Sequence, residues 1–224
     1  MMISCHHRRQ YSFTAATTAL LVIDMQRDFL DPLGASGQAG IKVKHLYNIV
    51  STLRTLMDAS RAADIFIVHT REGHLPDLSD LQAAKREQYA ASGIAIGEPG
   101  PLGRRFIRGE PGNAIVPELA PAPGELVVDK PGFGAFHATR LDDELKARGI
   151  THLILTGVTT QCCVHSTLRE AVDRGYRCLT VADACATEDP ALHEAVLSII
   201  ASEGHLFGWI ADAADVVSAL APSR

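Results

Sequence analysis

The stretch that most limits how this chain can fold is THLILTGVTTQCCVHSTLREAVDRG, residues 151–175, where an apolar run, a thiol-bearing turn and an amphipathic segment follow one another without a linker. Residues 152–158 are almost continuously apolar, as expected of a parallel strand covered on both faces. Residues 159–162 make the turn. Val164, Leu168 and Val172 then recur every fourth position, the spacing of one helix face, and Gly175 stands where helices commonly end in a left-handed residue. Cys163 is thereby set at a helix N-terminus. Free backbone N–H groups and the positive end of the helix dipole favour an anion there, so the thiol should give a thiolate more readily and an adjacent oxyanion can be held. The plain alternative is a buried cysteine acting as a small hydrophobe.

The rest of the chain keeps the order strand, then helix. Residues 18–23 are an apolar, β-branched run ending at Asp24, which puts that carboxylate at the carboxyl end of a strand, where open α/β sheets bind ligands. Residues 42–63 hold apolar positions at helical spacing and predict one long amphipathic helix. A short strand at 65–69, a polar helical stretch at 80–89, a strand at 125–129 followed at once by Lys130, and a short capped helix at 139–148 come next. Beyond the central stretch lie a strand at 176–182, a helix opened by Asp189 and Pro190 that closes near Gly204, an edge strand at 206–210 and a last helix capped by Asp212. The alternation predicts an α/β fold, a parallel sheet with helices on both faces and right-handed connections. It is read as one domain over 14–224, with residues 1–13 a loose tail. The Gly- and Pro-rich segment 93–112 exceeds an ordinary connection, so it is expected to wall an active site or to meet another subunit.

Composition then excludes several classes of partner. No apolar run approaches the roughly 20 residues that span a bilayer, so no membrane partner is expected. The 21 basic and 26 acidic residues give a net charge of −5, which offers nucleic acid no electrostatic footprint. Five cysteines fit neither a disulfide framework nor paired metal-ligand spacing, which points to reduced thiols in a cytoplasm. His6, His7, Arg8 and Arg9 before AATTALLVI imitate a secretory signal, but Thr17 and Thr18 interrupt the apolar run and it ends in the charged DMQRDF. A small molecule is the expected partner.

Three reactive side chains, Asp24, Lys130 and Cys163, occupy the carboxyl ends of predicted strands, and neighbouring parallel strands bring such ends together. Singly, each has an ordinary explanation: a capping carboxylate, a solvated ammonium, a core thiol. Together they match the nucleophile, base and orienter of covalent catalysis.

ALLVIDMQRDF, VVDKPGFGAF and LTGVTTQCCVHST resemble, in order and spacing, the three signature blocks of the isochorismatase-like cysteine hydrolases. HTREGHLPDLSDL, GEPGP, RGEPG and REAVDRGYRCL are similar to the biuret amidohydrolase branch, so the resemblance runs from about residue 19 to 220. It implies a three-layer α/β/α sandwich on a six-stranded parallel sheet, with Asp24 as base for the thiol proton, Cys163 as nucleophile and Lys130 as third member. It also implies a cis peptide between Val158 and Thr159 and an oxyanion hole from the N–H groups of Thr159 and Cys163. Of the adjacent cysteines, the resemblance selects Cys163, which valine follows, and leaves Cys162 structural. Family members that bind a metal hold it with histidines after an aspartate that this chain lacks, so no metal and no cofactor is expected and His69 and His74 are read as structural. A dimer or tetramer is implied.

The reaction so implied is hydrolysis of a carbon–nitrogen bond in a small carbamoyl or ureido amide, biuret-like or guanylurea-like, through a thioester with release of ammonia. An amidase for an N-carbamoyl amino acid or a nicotinamide-like amide, and a non-catalytic binding or thiol-redox protein on the same fold, are the alternatives. Phe29, Arg71, Phe133 and Glu203 are the expected substrate-binding residues. Phe133 replaces the branch's lysine and Glu203 its glutamine, a shift of about two charge units towards negative that predicts a substrate with a cationic or donor-rich distal group.

Overall fold

A computed structural model describes residues 1–221 and contains a sheet of six strands: β1 (Thr18–Ile23), β2 (Phe66–Glu72), β3 (Leu126–Lys130), β4 (His152–Val158), β5 (Arg177–Ala186) and β6 (Trp209–Ala211). Their order is β6-β5-β4-β1-β2-β3 and every pairing is parallel. The chain therefore winds outward from β1 to β3, returns to the middle at β4 and winds the other way. The crevice at the carboxyl ends of β1 and β4 is the switch point at which such sheets bind ligands.

Period-two alternation assigns the strand residues to two apolar layers. Leu20 and Val22 of β1 pack with Leu53 and Leu56 of α1 (Val50–Ala62), joined from the chain's end by Val216 of the helix Ala213–Leu220. Ala19, Leu21 and Ile23 face the other way. They pack with α3 (Leu141–Ala147), α4 (His165–Asp173) and α5 (Pro190–Ala201) through Leu145, Leu168 and Ile200; α2 (Ala83–Ala91) lies among the loops above. Three layers result, as the family resemblance implies. Over the carboxyl ends of the strands, Leu81, Ile94, Ile96 and Phe106 gather the long loops into a third cluster with Phe29 and Tyr89. No helix among the described residues is long and apolar enough to cross a membrane.

One glycine fixes how close the central strands approach. Gly157 has φ +106, and a Cβ there would collide with the Ile23 backbone carbonyl. Only glycine lets β4 run against the end of β1, the place where Asp24 leaves the sheet.

Several expectations are corrected. Residues 1–13 are not a loose tail: Met2–Cys5 pairs antiparallel with Arg9–Ser12, and Ile3, Tyr11 and Phe13 are buried. The Tyr11 hydroxyl donates to the Arg177 carbonyl at 2.9 Å. Alternating apolar residues on two short strands give this hairpin its inner face. The expected long helix over 42–63 is divided into Val43–Tyr47 and α1 by a turn at Asn48 and Ile49, since asparagine is a poor helix former. Asp212 precedes the last helix but gives it no side-chain cap; it pairs instead with His6 Nε2 at 3.1 Å. The last three residues of the expected domain, 222–224, lie outside the described residues.

Candidate active site

Four consecutive sheet positions converge at the switch point. Asp24 follows β1 directly, in a left-handed backbone conformation with φ +51, which short polar residues tolerate better than most. Lys130 ends β3 and Cys163 follows β4, in a turn wound as a single π-helical turn over Thr160–Val164 before α4 begins. The fourth side chain is Glu72, the last residue of β2 and the cross-strand partner of Lys130. Asp24, Glu72 and Lys130 are fully buried and Cys163 keeps 3% of its surface.

The contacts join them into one network. Lys130 Nζ lies 2.7 Å from Asp24 Oδ2 and 4.0 Å from Glu72 Oε2, and it donates to the carbonyls of Gly132 at 3.0 Å and Phe133 at 2.9 Å. Asp24 Oδ1 accepts from the Thr70 hydroxyl at 2.6 Å. The Cys163 thiol donates to Glu72 Oε2 at 3.6 Å, while Glu72 Oε1 takes the Lys85 ammonium and the Tyr89 hydroxyl, each at 2.6 Å. Thr167 Oγ1 donates to the Cys163 carbonyl at 2.7 Å and accepts from the Ala135 N–H at 3.1 Å, so α4 ties the cysteine turn to the loop after Lys130. The Val158–Thr159 peptide is cis, as the resemblance implies.

The electrostatics differ from the simple helix-start picture. Burial raises the Asp24 carboxyl above its ordinary value despite Lys130. Burial acts on Glu72 in the same direction, but Lys130, Lys85 and the Tyr89 hydroxyl together bring its carboxyl below the usual range. Lys130 itself loses by burial and gains more from Asp24, Cys163 and Glu72, so its ammonium is held firmly charged. The Cys163 thiol is pushed well above its ordinary value by its contact with the Cys162 sulfur, by burial and by the two carboxylates, against Lys130; the same contact lowers Cys162. Cys163 therefore rests protonated. The Cys162 contact and burial lead this shift, and the expectation of a readily formed thiolate is corrected for the resting chain.

Asp24, Glu72 and Cys163 present donor atoms within 4.8 Å of one another, a set that could hold a cation. The Lys130 ammonium, in contact with both carboxylates, already supplies that positive charge. His69 and His74 are buried and hydrogen-bond to Glu125 and Asp80 at 2.9 and 3.2 Å.

A cavity of about 400 Å³ is lined by Phe29, Tyr89 and Phe133, by Ile94 from the 93–112 segment, by Thr159 and Cys162 of the cysteine turn and by the exposed Gln161 and Glu188; Cys163, the next residue in the chain, is buried behind Cys162 and is not part of the lining. The Tyr89 and Phe133 rings stack at 6.2 Å. Phe29 and Phe133, two of the four expected substrate residues, line this cavity. The other two do not: Arg71 points to the opposite face of the sheet and pairs with Asp129 at 2.7 and 2.9 Å, because period-two alternation sets it opposite Glu72. Glu203 is exposed on the turn after α5, at φ +49, outside the cavity lining. Glu188 is the carboxylate that the cavity presents. Sequence reasoning also missed Glu72, Lys85 and Tyr89. Apolar patterning ends the strand at His69 and so leaves Glu72 in a loop; the alternation Val68, Thr70, Glu72, carried forward, is the signal that places it.

The sequence matches the family model described as isochorismatase domain over residues 18–215. The ureidoacrylate amidohydrolase RutB of Methylobacterium radiotolerans is 34% identical over 214 residues, covering 93% of this chain and 82% of that protein. RutB of Yersinia enterocolitica is 31% identical, covering 95% and 93% respectively. Among solved structures, the cysteine hydrolase from Pseudomonas syringae pv. phaseolicola 1448A is similar with a TM-score of 0.81 and 28% identity, over 94% of this chain and 95% of that one. With the parallel six-stranded architecture and a match that spans most of its length, the chain belongs to the isochorismatase family.

Proposed function

We propose that the protein is a cysteine-dependent amidohydrolase for a small neutral or cationic ureido or carbamoyl amide. As a family member with amidohydrolase relatives, the chain is a hydrolase of carbon–nitrogen bonds other than peptide bonds. The observation that carries the finer reading is the buried contact of the Cys163 thiol with a carboxylate, beside the Lys130 ammonium and next in the chain to Cys162, which lines an open cavity.

In this reading Asp24 takes the thiol proton as the Cys163 sulfur attacks the amide carbonyl, the N–H groups of Thr159 and Cys163 hold the oxyanion, and the carbon–nitrogen bond breaks as the proton passes from Asp24 to the leaving nitrogen, which leaves a thioester. Water, deprotonated by Asp24, then hydrolyses the thioester. Lys130 holds Asp24 in place and stabilises negative charge as it moves between carboxylate and sulfur. Phe29, Tyr89 and Phe133 supply flat apolar walls for a planar ureido group, and Gln161 and Glu188 are exposed polar side chains of the same lining. The lining carries an exposed carboxylate and no cation, so a substrate with an anionic distal group is disfavoured. The relatives are named for ureidoacrylate; the cavity here favours a donor-rich distal end, as in guanylurea, over a carboxylate.

The test is ammonia release from a panel of ureidoacrylate, biuret, guanylurea, nicotinamide and an N-carbamoyl amino acid. We expect the uncharged and cationic ureido compounds to lead, and Glu188→Gln to narrow their advantage. Release from none of these amides would refute the reading.

A further inference from the structure

The cysteine turn is pinned by a side chain at each of its ends. At the Cys163 end the pin is Thr167 of α4, whose hydroxyl donates to the Cys163 carbonyl at 2.7 Å. At the other end it is His193 of α5, whose Nδ1 lies 3.0 Å from Oγ1 of Thr160, the first residue of the π-helical turn. Thr160 is fully buried, and without His193 its hydroxyl would be an orphan among the described residues. The start of α5 sets the imidazole there. Asp189 caps the helix by accepting from the Ala191 N–H at 2.8 Å, and Pro190 stands in its first turn. His193 then precedes Val196 and Ile200, the buried residues of the helix, by three and seven positions and so shares their inward face. An aliphatic side chain would fill this place in an apolar stripe with no partner at all. A histidine and a threonine must instead meet in one geometry, because a polar atom left unpaired in the interior is costly.

The chain neighbours of Thr160 show what that geometry governs. Thr159 precedes it, and the Thr159 N–H is one of the two donors to the oxyanion in the proposed reaction. The Thr159 carbonyl accepts from the N–H groups of Cys162 at 3.1 Å and Val164 at 3.2 Å, so the turn closes on itself, with the second donor, the Cys163 N–H, between those two in the chain. Thr159 and Cys162 line the cavity, whereas Thr160 and Cys163 are buried behind them. We propose that His193 is a positioning residue of the oxyanion hole: through Thr160 it fixes the turn so that the Thr159 and Cys163 N–H groups meet the tetrahedral oxygen together. Its ring touches neither the substrate nor the sulfur. A donor displaced by about 1 Å is enough to cost on the order of a hundredfold in rate.

This assignment rests on the proposed cysteine hydrolysis, and its test compares two electrophiles at the same sulfur. p-Nitrophenyl acetate is attacked at a carbonyl. The sulfur–carbon bond forms as Asp24 takes the thiol proton, the π pair moves onto oxygen, and its return expels p-nitrophenolate to leave an acetyl thioester. Iodoacetamide is attacked at a saturated carbon, where the sulfur displaces iodide and no oxyanion forms. Both rates are followed in a Cys162→Ala background, with the modified cysteine located by peptide mapping. In His193→Leu the ester rate is expected to fall on the order of tenfold or more, with alkylation within about twofold of the parent. His193→Asn places an amide where Nδ1 was, able to donate or accept, and should restore the ester rate to within about threefold. Thr160→Val removes the same bond from the other side and should match His193→Leu, with the double variant no slower than either. In amide turnover the loss should fall on kcat, with KM within about threefold of the parent.

A histidine that only supports the fold would slow both electrophiles together, and that result overturns the assignment. So does ester acylation at the parent rate in His193→Leu, failure of His193→Asn to restore it, or additive losses in the double variant. A parent that alkylates at Cys163 but takes no acetyl group there also overturns it. Should His193→Leu fail to fold, Thr160→Val decides by the same ratio of rates. If the parent takes the ester but cleaves no amide, the proposed function fails by itself, while the ratio still reports on His193.

Discussion

Two adjacent thiols in this protein differ in every respect that matters for catalysis. Cys162 borders the cavity and is lowered by its neighbour, whereas Cys163 lies beneath, in contact with Glu72 and close to Lys130. Cys163→Ala should abolish ammonia release with the melting temperature little changed, while Cys162→Ala keeps turnover within about tenfold of the parent; covalent substrate found on Cys162 by mass spectrometry would contradict this. Asp24→Asn and Lys130→Ala each break a buried ion pair whose members serve the same proton. Each is expected to cost on the order of a hundredfold in kcat/KM, and the double variant little more than either alone. Additive losses would show that the two act separately. At this scale the sequence named Asp24, Lys130 and Cys163 because each closes a clear apolar run. It missed Glu72 because β2 continues through the polar residues Thr70 and Arg71, where hydrophobic patterning gives no signal. Glu203 failed for a different reason: a left-handed turn after α5 sends it to the surface, and no periodicity forecasts the direction of a turn.

At the scale of elements, the site depends on how closely β1 and β4 lie. Gly157→Ala would drive a methyl into the Ile23 carbonyl and force a non-glycine residue to φ +106. We expect a loss of at least about 2 kcal/mol in urea denaturation, together with impaired turnover, since the two strands forced apart lead into Asp24 and into the cysteine turn. A variant of unchanged stability would mean that the strands separate freely there. The parallel strands and the helices behind them were legible because burial on both faces requires unbroken apolar runs, as in TALLVI and HLILTGV. The hairpin of Met2–Cys5 and Arg9–Ser12 was not. Each arm is too short to establish a period, and its inner face becomes apparent only once Tyr11 meets Trp209.

Across the whole molecule, titration by acid should be set by histidines rather than by the reactive centre. Burial lowers His69, His74, His152, His165, His193 and His205 below their ordinary value. The unfolded chain therefore binds more protons than the native one once pH falls towards the unfolded value of 6.5. Stability present above that value is lost as acid is added, so the melting temperature should fall between about pH 7.5 and pH 5.5; a flat or rising curve would contradict this sign. The centre behaves otherwise. Asp24, Glu72, Lys85 and Lys130 bring two negative and two positive charges into one enclosure that is at most 7% exposed at any of them. Their sum is zero, and proton transfers among sulfur, carboxylates and a neutral amide leave it at zero throughout. Mobile ions thus have no net charge to screen and no room to enter, so kcat should hold steady between about 0.05 and 0.5 M sodium chloride, with any salt dependence confined to KM through the exposed Glu188. Catalysis of this kind would tolerate wide swings in cellular ionic strength without any regulator.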